Sequence, residues 1–299
     1  MITFLKFMPN TKILITGANG QLGSEIKKIS GQYKNIEFIF TDFPELDISN
    51  ENAVNLFFDK NKPAYLINCA AYTAVDNAEN DFENADKINN ISVGILAETA
   101  AKNNCKFIHF STDYVYSGSK AELPYTENDT TQPQTVYGKT KLAGENTLIN
   151  SEAEHIIIRT SWLYSEFGNN FVKTMLRLGS ERSELKVIFD QIGTPTYAGD
   201  LALVTMKIVQ NSISENKNFI QGVYLYSNEG VCSWYDFAHE IMEISQTNCK
   251  IIPIESKEYP QKAIRPHFSV LNKKKIKQNF DLQIPHWRTS LKICISALK

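Results

Sequence analysis

The 299-residue sequence lacks the features that mark several large classes of protein. No apolar run approaches the roughly 18 residues that a membrane-spanning helix needs. Lysine and arginine total 31 against 33 acidic residues, so the chain has no basic excess of the kind that binds nucleic-acid phosphates. We therefore expect neither a membrane nor a nucleic-acid partner. The 42% of hydrophobic residues also excludes intrinsic disorder.

Cysteine is scarce and scattered, because the five cysteines are odd in number and none is spaced as a ligand pair. This pattern excludes a disulfide framework and a zinc site, and it favours the reducing cytoplasm. The histidines show no metal spacing either, so we predict no metal. Met1–Pro9 is apolar but short and is followed by no small-residue cleavage site, which indicates an N-terminal extension and not a secretion signal.

The first half of the chain alternates short apolar runs with helical patterns. The predicted strands are Lys12–Thr16, Glu37–Thr41, Tyr65–Cys69, Lys106–Ser111 and His155–Thr160. The predicted helices are Gln21–Ser30, Glu51–Lys60, Phe82–Asn103 and Val136–Asn150. Such alternation is typical of an α/β fold with a Rossmann-like, doubly wound parallel sheet.

The regular alternation of predicted strands and helices ends after Thr160, and the second half indicates a smaller, mixed α/β domain. Its predicted elements are Asn170–Leu178, Leu185–Phe189, Asp200–Gln210, Gly222–Tyr226, Trp234–Ser245 and Thr289–Leu298. We expect a dinucleotide-binding domain at 11–165, to which the chain partly returns near 190–212. Residues 166–299 are then the substrate domain.

The segment Thr16–Gly23 (TGANGQLG) follows the first predicted strand and leads into the first helix. Glycines at such a turn let the backbone approach a pyrophosphate, whose charge the free amides of the helix N-terminus solvate. The spacing is GxxGxxG, and the alternative is a tight turn without a ligand. The strand–turn–helix context favours a dinucleotide cradle that includes Gly17, Gly20 and Gly23.

Candidates for the adenosine side of a dinucleotide follow the next two strands. Asp42 can accept hydrogen bonds from a ribose and would repel a 2′-phosphate, although a capping residue ahead of Pro44 is the plainer alternative. Small side chains after the third strand suit a bound dinucleotide, or else core packing. The further candidates are Asp47, Ile48, Ala70, Ala71 and Tyr72.

Tyr137 and Lys141 lie four residues apart on a predicted helix and therefore share one face. A cation beside a phenol favours the phenolate and lowers the phenol pKa, which makes Tyr137 a usable proton donor and acceptor. The pair Tyr116 and Lys120 has the same spacing but brackets a Ser-Gly-Ser turn, so we discard it. Thr112 ends the fourth strand, where its hydroxyl and the Asp113 carboxylate are expected to face a ligand. The alternative for Thr112 is a hydroxyl that hydrogen-bonds only to nearby backbone groups.

These motifs together resemble the extended short-chain dehydrogenase/reductases and, more closely, the dTDP-4-dehydrorhamnose reductase family. The similar segments are Asn68–Glu79, Phe110–Tyr116, Val136–Glu145, Arg159–Tyr164, Gly168–Leu178 and Asp190–Thr196. The resemblance implies a catalytic trio of Thr112, Tyr137 and Lys141. It also implies that Gln21 and Leu22 join the cofactor site, and that Thr112, Asp113, Trp162 and Arg265 contact a deoxysugar nucleotide. Core packing for Trp162 and a surface ion pair for Arg265 remain alternatives.

The sequence departs from related patterns at two positions. Sugar-nucleotide dehydratases of the superfamily carry an acidic residue where this chain has Tyr114, which disfavours dehydration. The family is associated mainly with NADPH, whereas Asp42 favours NADH, so we predict NADPH with NADH possible.

We predict reduction of the C4 keto group of a dTDP-linked 4-keto-6-deoxysugar by a monomer or homodimer. One alternative is a non-catalytic dinucleotide-binding subunit, like the β subunit of methionine adenosyltransferase, and another is a reductase of a different 4-ketosugar nucleotide. Of the remaining features, Lys273–Lys275 reads as a solvated helix face and His109 as a satisfied core residue.

Overall fold

The computed structural model describes residues 11–119, 123–214 and 219–299. The N-terminal extension predicted at 1–9 and Lys120 of the discarded pair lie outside these residues. Within the described ranges, no helix combines the length and the apolar character that crossing a bilayer takes.

The strands lie close to their predicted positions. They are β1 (Thr11–Thr16), β2 (Ile36–Phe40), β3 (Tyr65–Asn68), β4 (Lys106–Thr112), β5 (His155–Thr160), β6 (Leu163–Tyr164), β7 (Glu184–Ile188), β8 (Ile192–Gly193), β9 (Thr196–Tyr197), β10 (Gly222–Tyr226), β11 (Cys232–Ser233) and β12 (Lys250–Ile254). In the described chain, six of them form one parallel sheet in the order β10-β5-β4-β3-β1-β2. The predicted α/β class with a doubly wound parallel sheet is confirmed.

The helices are α1 (Gln21–Ile29), α2 (Glu51–Asn61), α3 (Val75–Ala78), α4 (Phe82–Asp86), α5 (Ser92–Lys102), α6 (Val136–Ile149), α7 (Phe171–Glu181), α8 (Ala198–Ser214), α9 (Trp234–Ser245), α10 (Lys274–Phe280) and α11 (Trp287–Ala297). The single helix predicted over Phe82–Asn103 is wrong in one respect. A π-helical turn at Lys87–Ile91 separates α4 from α5, and such turns often accompany functional sites.

The second half of the chain contributes to both parts of the molecule. Helix α8 packs on α1, and β10 pairs in parallel with β5, so the returning segment extends past the predicted 190–212 as far as Tyr226. The remaining short strands form the pairs β6–β9, β7–β12 and β8–β11. A separate hydrophobic cluster joins α7, α9, α11 and β7 around Phe237 and Leu291. This cluster gives the second half a hydrophobic core of its own.

The sheet order creates a crevice between neighbouring strands. β2 lies on one side of β1 and β3 on the other, so the connections that leave β1 and β3 diverge at their carboxyl ends. Ligands of doubly wound sheets bind at such switch points. The glycine segment after β1 and the Ala70–Tyr72 segment after β3 border this crevice.

Candidate active site

The glycine turn after β1 is shaped by the close approach of the segment that follows β3. Gly17 has φ +63°, and a Cβ atom on it would lie 2.5 Å from the Ala70 backbone nitrogen. A Cβ on Gly23 would lie 2.4 Å from the Gly17 carbonyl oxygen, so glycine at position 23 allows the first turn of α1 to pack against the glycine turn. Gly20 is the N-cap of α1 and makes no side-chain cap hydrogen bond. The α1 N-terminus therefore suits an anionic group.

Asp42 lies beside this turn and hydrogen-bonds to its backbone. Its carboxylate accepts from the Asn19 N–H at 2.9 Å and from the Phe43 N–H at 2.9 Å. The capping role given above as the plainer alternative is therefore real, and it leaves Asp42 in the cleft with a negative charge. Asp47 accepts from both the amide and the hydroxyl of Ser49, which lowers the pKa of its carboxyl.

Three adjoining cavities form one cleft along the carboxyl ends of the strands. The glycine-end cavity, of about 370 Å³, is lined among others by Gly17, Gly20, Asp42, Asp47, Ile48, Ala70, Ala71 and Tyr72. The middle cavity, of about 550 Å³, is lined among others by Gln21, Leu22, Thr112, Asp113, Tyr137, Lys141 and Trp162. The far cavity, of about 560 Å³, is lined among others by Tyr114, Phe171, Trp234 and Arg265. Every residue predicted for the site lines this cleft except Gly23.

Helix α6 presents Tyr137 and Lys141 to the middle cavity. The Thr135 hydroxyl caps the helix by accepting from the Gly138 N–H at 3.0 Å, which places Tyr137 in the first turn. Gly138 packs so closely on the backbone after β4 that a Cβ would lie 2.4 Å from the Tyr114 carbonyl oxygen. The Tyr137 ring meets the Tyr114 ring edge to face at 5.6 Å. These contacts fix the helix start against the end of β4.

Thr112 and Asp113 meet the phenol from the end of β4. The Thr112 hydroxyl donates to Asp113 Oδ1 at 3.0 Å and lies next to the Tyr137 phenol. Burial raises the pKa of Asp113 to about 7, and the bond from Thr112 counteracts part of that shift. Asp113 Oδ2 is buried and has no hydrogen-bond partner among the described residues. Asp113 lines the middle cavity together with Thr112 and Tyr137.

The predicted lowering of the Tyr137 pKa is wrong for this structure. Burial raises the pKa of Tyr137 to about 12, the adjacent Thr112 hydroxyl lowers it in part, and the Asp113 charge raises it further. Desolvation disfavours the phenolate more strongly than its surroundings favour it. A phenol that stays protonated at neutral pH is a proton donor.

Lys141 is almost fully buried, with its side chain 2% exposed. Its Nζ donates to the Phe110 carbonyl oxygen at 2.8 Å and lies 3.4 Å from His109 Nε2. Burial lowers the pKa of Lys141 to about 8, although the Glu145 carboxylate one turn along the helix opposes the shift. Arg159 engages that carboxylate at 2.6 Å, so Glu145 is itself paired.

The far cavity is built from side chains that distant segments contribute. Trp162 has φ +48° and stacks on Trp234 with ring centroids 3.6 Å apart, while Phe171 packs on Trp234 at 4.6 Å. Arg265 makes a two-pronged bond with Asp76, at 2.8 and 3.2 Å. Both alternatives weighed from the sequence are thus realised: Trp162 packs on another ring and Arg265 is ion-paired, yet both side chains border the cleft.

Sequence reasoning missed several residues that order the site. Asn89, in the π-helical turn, binds both the N–H and the C=O of Tyr72 and donates to Thr140. Asn68 and His109 connect the turn after β1 to Lys141. A buried asparagine in an otherwise apolar strand was the one available signal for Asn68, and nothing in the sequence marks Asn89.

The solvated face predicted at Lys273–Lys275 is wrong for two of its residues. Lys273 is 8% exposed, donates to the Asn228 carbonyl oxygen and pairs with Glu229. Lys275 donates to the Val223 carbonyl oxygen at 2.7 Å. Lys275 fastens α10 to the edge strand β10, and Lys273, which precedes α10, holds the segment after β10, because unpaired carbonyls there need donors. No group of three His, Cys, Asp or Glu side chains in the described ranges could hold a metal ion.

The chain is similar to known proteins over nearly its whole length. Residues 11–299 match the family model described as the RmlD substrate binding domain. The curated dTDP-4-dehydrorhamnose reductase of Aggregatibacter actinomycetemcomitans is 42% identical over 287 residues, which cover 94% of this chain and 97% of that protein.

Solved structures of reductases with the same name have the same fold. One from Clostridium acetobutylicum gives a TM-score of 0.90 at 45% identity and covers 96% of this chain and 99% of that one. Another, from Bacillus anthracis in complex with NADP, gives a TM-score of 0.91 at 36% identity with the same coverage of 96% and 99%.

Proposed function

We propose a reaction on the premise that the chain belongs to the dTDP-4-dehydrorhamnose reductase family, which it matches over residues 11–299. The proposed reaction reduces the C4 keto group of dTDP-4-dehydrorhamnose and yields dTDP-L-rhamnose. NADPH is the proposed electron donor, with NADH as an alternative, because a relative is solved with NADP while Asp42 lies in the glycine-end cavity of this chain.

The observation that carries the proposal is the continuity of the cleft. The middle cavity is bordered on one side by Gly20 and Gln21 at the start of α1, and on the other by Thr112 and Tyr137. A dinucleotide seated on the glycine turn would therefore extend towards the phenol. The uncapped α1 N-terminus, which follows a turn that requires glycine at position 17, fits its pyrophosphate.

The chain's own residues supply the proton and orient the substrate. A bound nicotinamide cofactor supplies the hydride. Tyr137, kept protonated by burial, donates its proton to the carbonyl oxygen as negative charge develops there. Thr112 holds the direction of the phenol, and the Lys141 ammonium, when charged, stabilises the phenolate that remains. Asp113 lines the same cavity, and we assign its carboxyl group to the sugar hydroxyls.

The two parts of the chain divide the ligands between them. We assign the dinucleotide to 11–165 and the sugar nucleotide chiefly to 166–299, since Phe171, Trp234 and Arg265 line the far cavity, where Trp162 from the first part stacks on Trp234. A guanidinium suits a diphosphate, and stacked indoles suit the apolar faces of a base or sugar. We retain the prediction of a cytoplasmic monomer or homodimer.

Replacement of the phenol tests the proposal. Tyr137→Phe should lower kcat for the ketosugar nucleotide by about 10² to 10⁴-fold, because the proton donor is lost while the ring remains. Turnover is followed by the loss of NAD(P)H absorbance. Tyr33→Phe is the matched control, since Tyr33 is half-buried and packs on Phe38 at the other edge of the sheet.

Two results would contradict the assignment. Near-normal turnover in Tyr137→Phe would remove the phenol from the mechanism. No consumption of NAD(P)H by the unaltered chain would favour the non-catalytic binding subunit instead. Product stereochemistry, read by NMR, separates the proposed reaction from reduction of another 4-ketosugar nucleotide.

A further inference from the structure

A buried chain of polar side chains links the glycine turn to Lys141. The Thr16 hydroxyl donates to Asn68 Oδ1 at 2.7 Å, Asn68 Nδ2 lies 3.2 Å from His109 Nδ1, and His109 Nε2 lies 3.4 Å from Lys141 Nζ. All four residues are at most 2% exposed. Buried polar groups in such a chain need matched donors and acceptors, so each one constrains the next.

The orientation of Asn68 is fixed by its backbone partner. The Ala70 N–H donates to Asn68 Oδ1 at 3.2 Å, and a backbone N–H cannot accept. The oxygen of the amide must therefore face Ala70 and Thr16, which turns the NH₂ group towards His109. Because an amide NH₂ only donates, His109 Nδ1 is the acceptor of this contact.

The tautomer of His109 follows from that contact. A neutral imidazole that accepts at Nδ1 carries its proton on Nε2. Full burial and the neighbouring Lys141 hold the pKa of His109 well below its usual value, so the ring stays neutral. The Nε2–H then points at Lys141 Nζ.

We propose that His109, oriented by Asn68, is a positioning residue that presents an N–H to Lys141 and thereby stabilises its uncharged amine. An amine accepts from this N–H, whereas an ammonium group only donates and would set two donors 3.4 Å apart. The Phe110 carbonyl oxygen serves Lys141 in both states, since either form can donate to it. The pair Asn68–His109 thus controls how readily Lys141 exchanges a proton.

The other charged and titratable groups around Lys141 do not take over this role. Glu145 favours the ammonium form, but Arg159 from β5 engages its carboxylate. Tyr137, one turn earlier on α6, and Asp113, from the turn after β4, lie on the cleft side. His109 is therefore the polar side chain that meets Lys141 from the sheet side.

The tautomer can be measured without any assay of activity. In protein labelled with ¹⁵N-histidine, the Nδ1 and Nε2 chemical shifts of His109 distinguish the two neutral forms, and His109→Gln identifies the signal. We expect the Nε2–H form between pH 6 and pH 9. An Nδ1–H form, or a ring that titrates in this range, would overturn the proposal.

Asn68→Asp reverses the contact while keeping the shape of the side chain. The new carboxylate can only accept, so His109 must move its proton to Nδ1 and offer the Nε2 lone pair to the Lys141 ammonium. The alkaline limb of the pH profile of kcat/KM should then move to higher pH by about one pH unit. His109→Gln, whose amide can accept from Asn68 and donate to Lys141, should leave the limb in place.

A double variant separates hydrogen bonding from simple charge. In the His109→Leu background the Asn68→Asp change adds the carboxylate but has no ring through which to act, so it should move the limb much less, relative to His109→Leu alone, than it does when the ring is present. An undiminished shift would assign the effect to charge alone and overturn the proposal. The kinetic arm rests on the proposed reductase function, whereas the NMR arm does not, so the two failures are distinguishable.

Discussion

The two ends of the cleft differ in whether backbone or side-chain atoms form them. The glycine end is mostly backbone: a left-handed Gly17, an uncapped helix N-terminus and the Ala70 backbone against which the turn lies. The far end is mostly side chain: Trp162 stacked on Trp234, and Arg265 paired with Asp76. At Gly17 the backbone contacts leave no room for a Cβ atom. At the far end, one side chain can be replaced by another without moving the backbone. Substitutions at the two ends should therefore behave differently.

The largest effect should come from one methyl group at the glycine end. Gly17→Ala places a Cβ 2.5 Å from the Ala70 nitrogen at a φ of +63°, so the turn must open. We expect a loss of cofactor affinity of about 100-fold or more, because the helix amides no longer converge. Fluorescence titration with NADPH measures it.

Gly31→Ala is the matched control for that experiment. Gly31 lies in the turn after α1, where a Cβ would meet nothing within 4 Å. It should keep cofactor affinity within about twofold of the starting protein. An equal loss of cofactor affinity in both variants would mean that Gly17 is no more important for cofactor binding than a glycine outside the cleft.

The second prediction concerns the junction of the two ends, at Asp113. Its pKa is raised to about 7, above the value of a free carboxyl, so between about pH 4 and pH 7 the folded state holds a proton that the unfolded state has lost. Stability should therefore fall as pH rises through this window. Asp113→Asn should flatten that slope and raise stability near pH 8 by roughly 1–3 kcal/mol.

Urea denaturation at pH 5 and at pH 8 measures the slope. Glu25, whose pKa burial also raises to about 7, retains its share of the slope in this variant. An unchanged slope would show that Asp113 is not destabilised in the folded protein. Stabilisation together with lost turnover would identify Asp113 as a group kept for substrate.

The fold was readable because its signal is local. Short apolar runs such as His155–Thr160 are buried strands, and helices such as α1 and α6 begin after turns that the sequence displays. The glycine end was readable for the same reason, since one segment holds the motif. The far end was not, because Trp234 and Asp76 meet their partners only after folding.

Two wrong predictions and one that is correct but incomplete show the physical limit of the sequence argument. The π-helical turn at Lys87–Ile91 has no pattern of its own in the sequence, because its hydrogen-bond partner Tyr72 lies on another segment. The pKa of Tyr137 depends on burial, which spacing does not reveal. His109 reads as a core residue and is one, yet its contacts with Asn68 and Lys141 come from three separate elements.

A third prediction tests whether Asp42 sets cofactor preference. Its negative charge should disfavour the 2′-phosphate of NADPH, even though both oxygens already cap backbone amides. Asp42→Ser should raise the ratio of kcat/KM for NADPH over NADH by about tenfold, since a nearby charge is removed. A ratio that stays constant while both constants fall would reduce Asp42 to a structural cap.

The smallest expected effect lies at the far end, where Asp76 and any bound diphosphate compete for the same guanidinium. Asp76→Asn frees Arg265 from a charged partner, while the amide oxygen can still accept from the Ala263 N–H. The pair is partly exposed, so its net strength is modest. KM for the sugar nucleotide should fall by about two- to fivefold, with KM for NADPH unchanged, and the difference should shrink at high salt. A rise in KM would instead show that Asp76 holds Arg265 in the orientation that binds the ligand, and the far end would then be as preorganised as the glycine end.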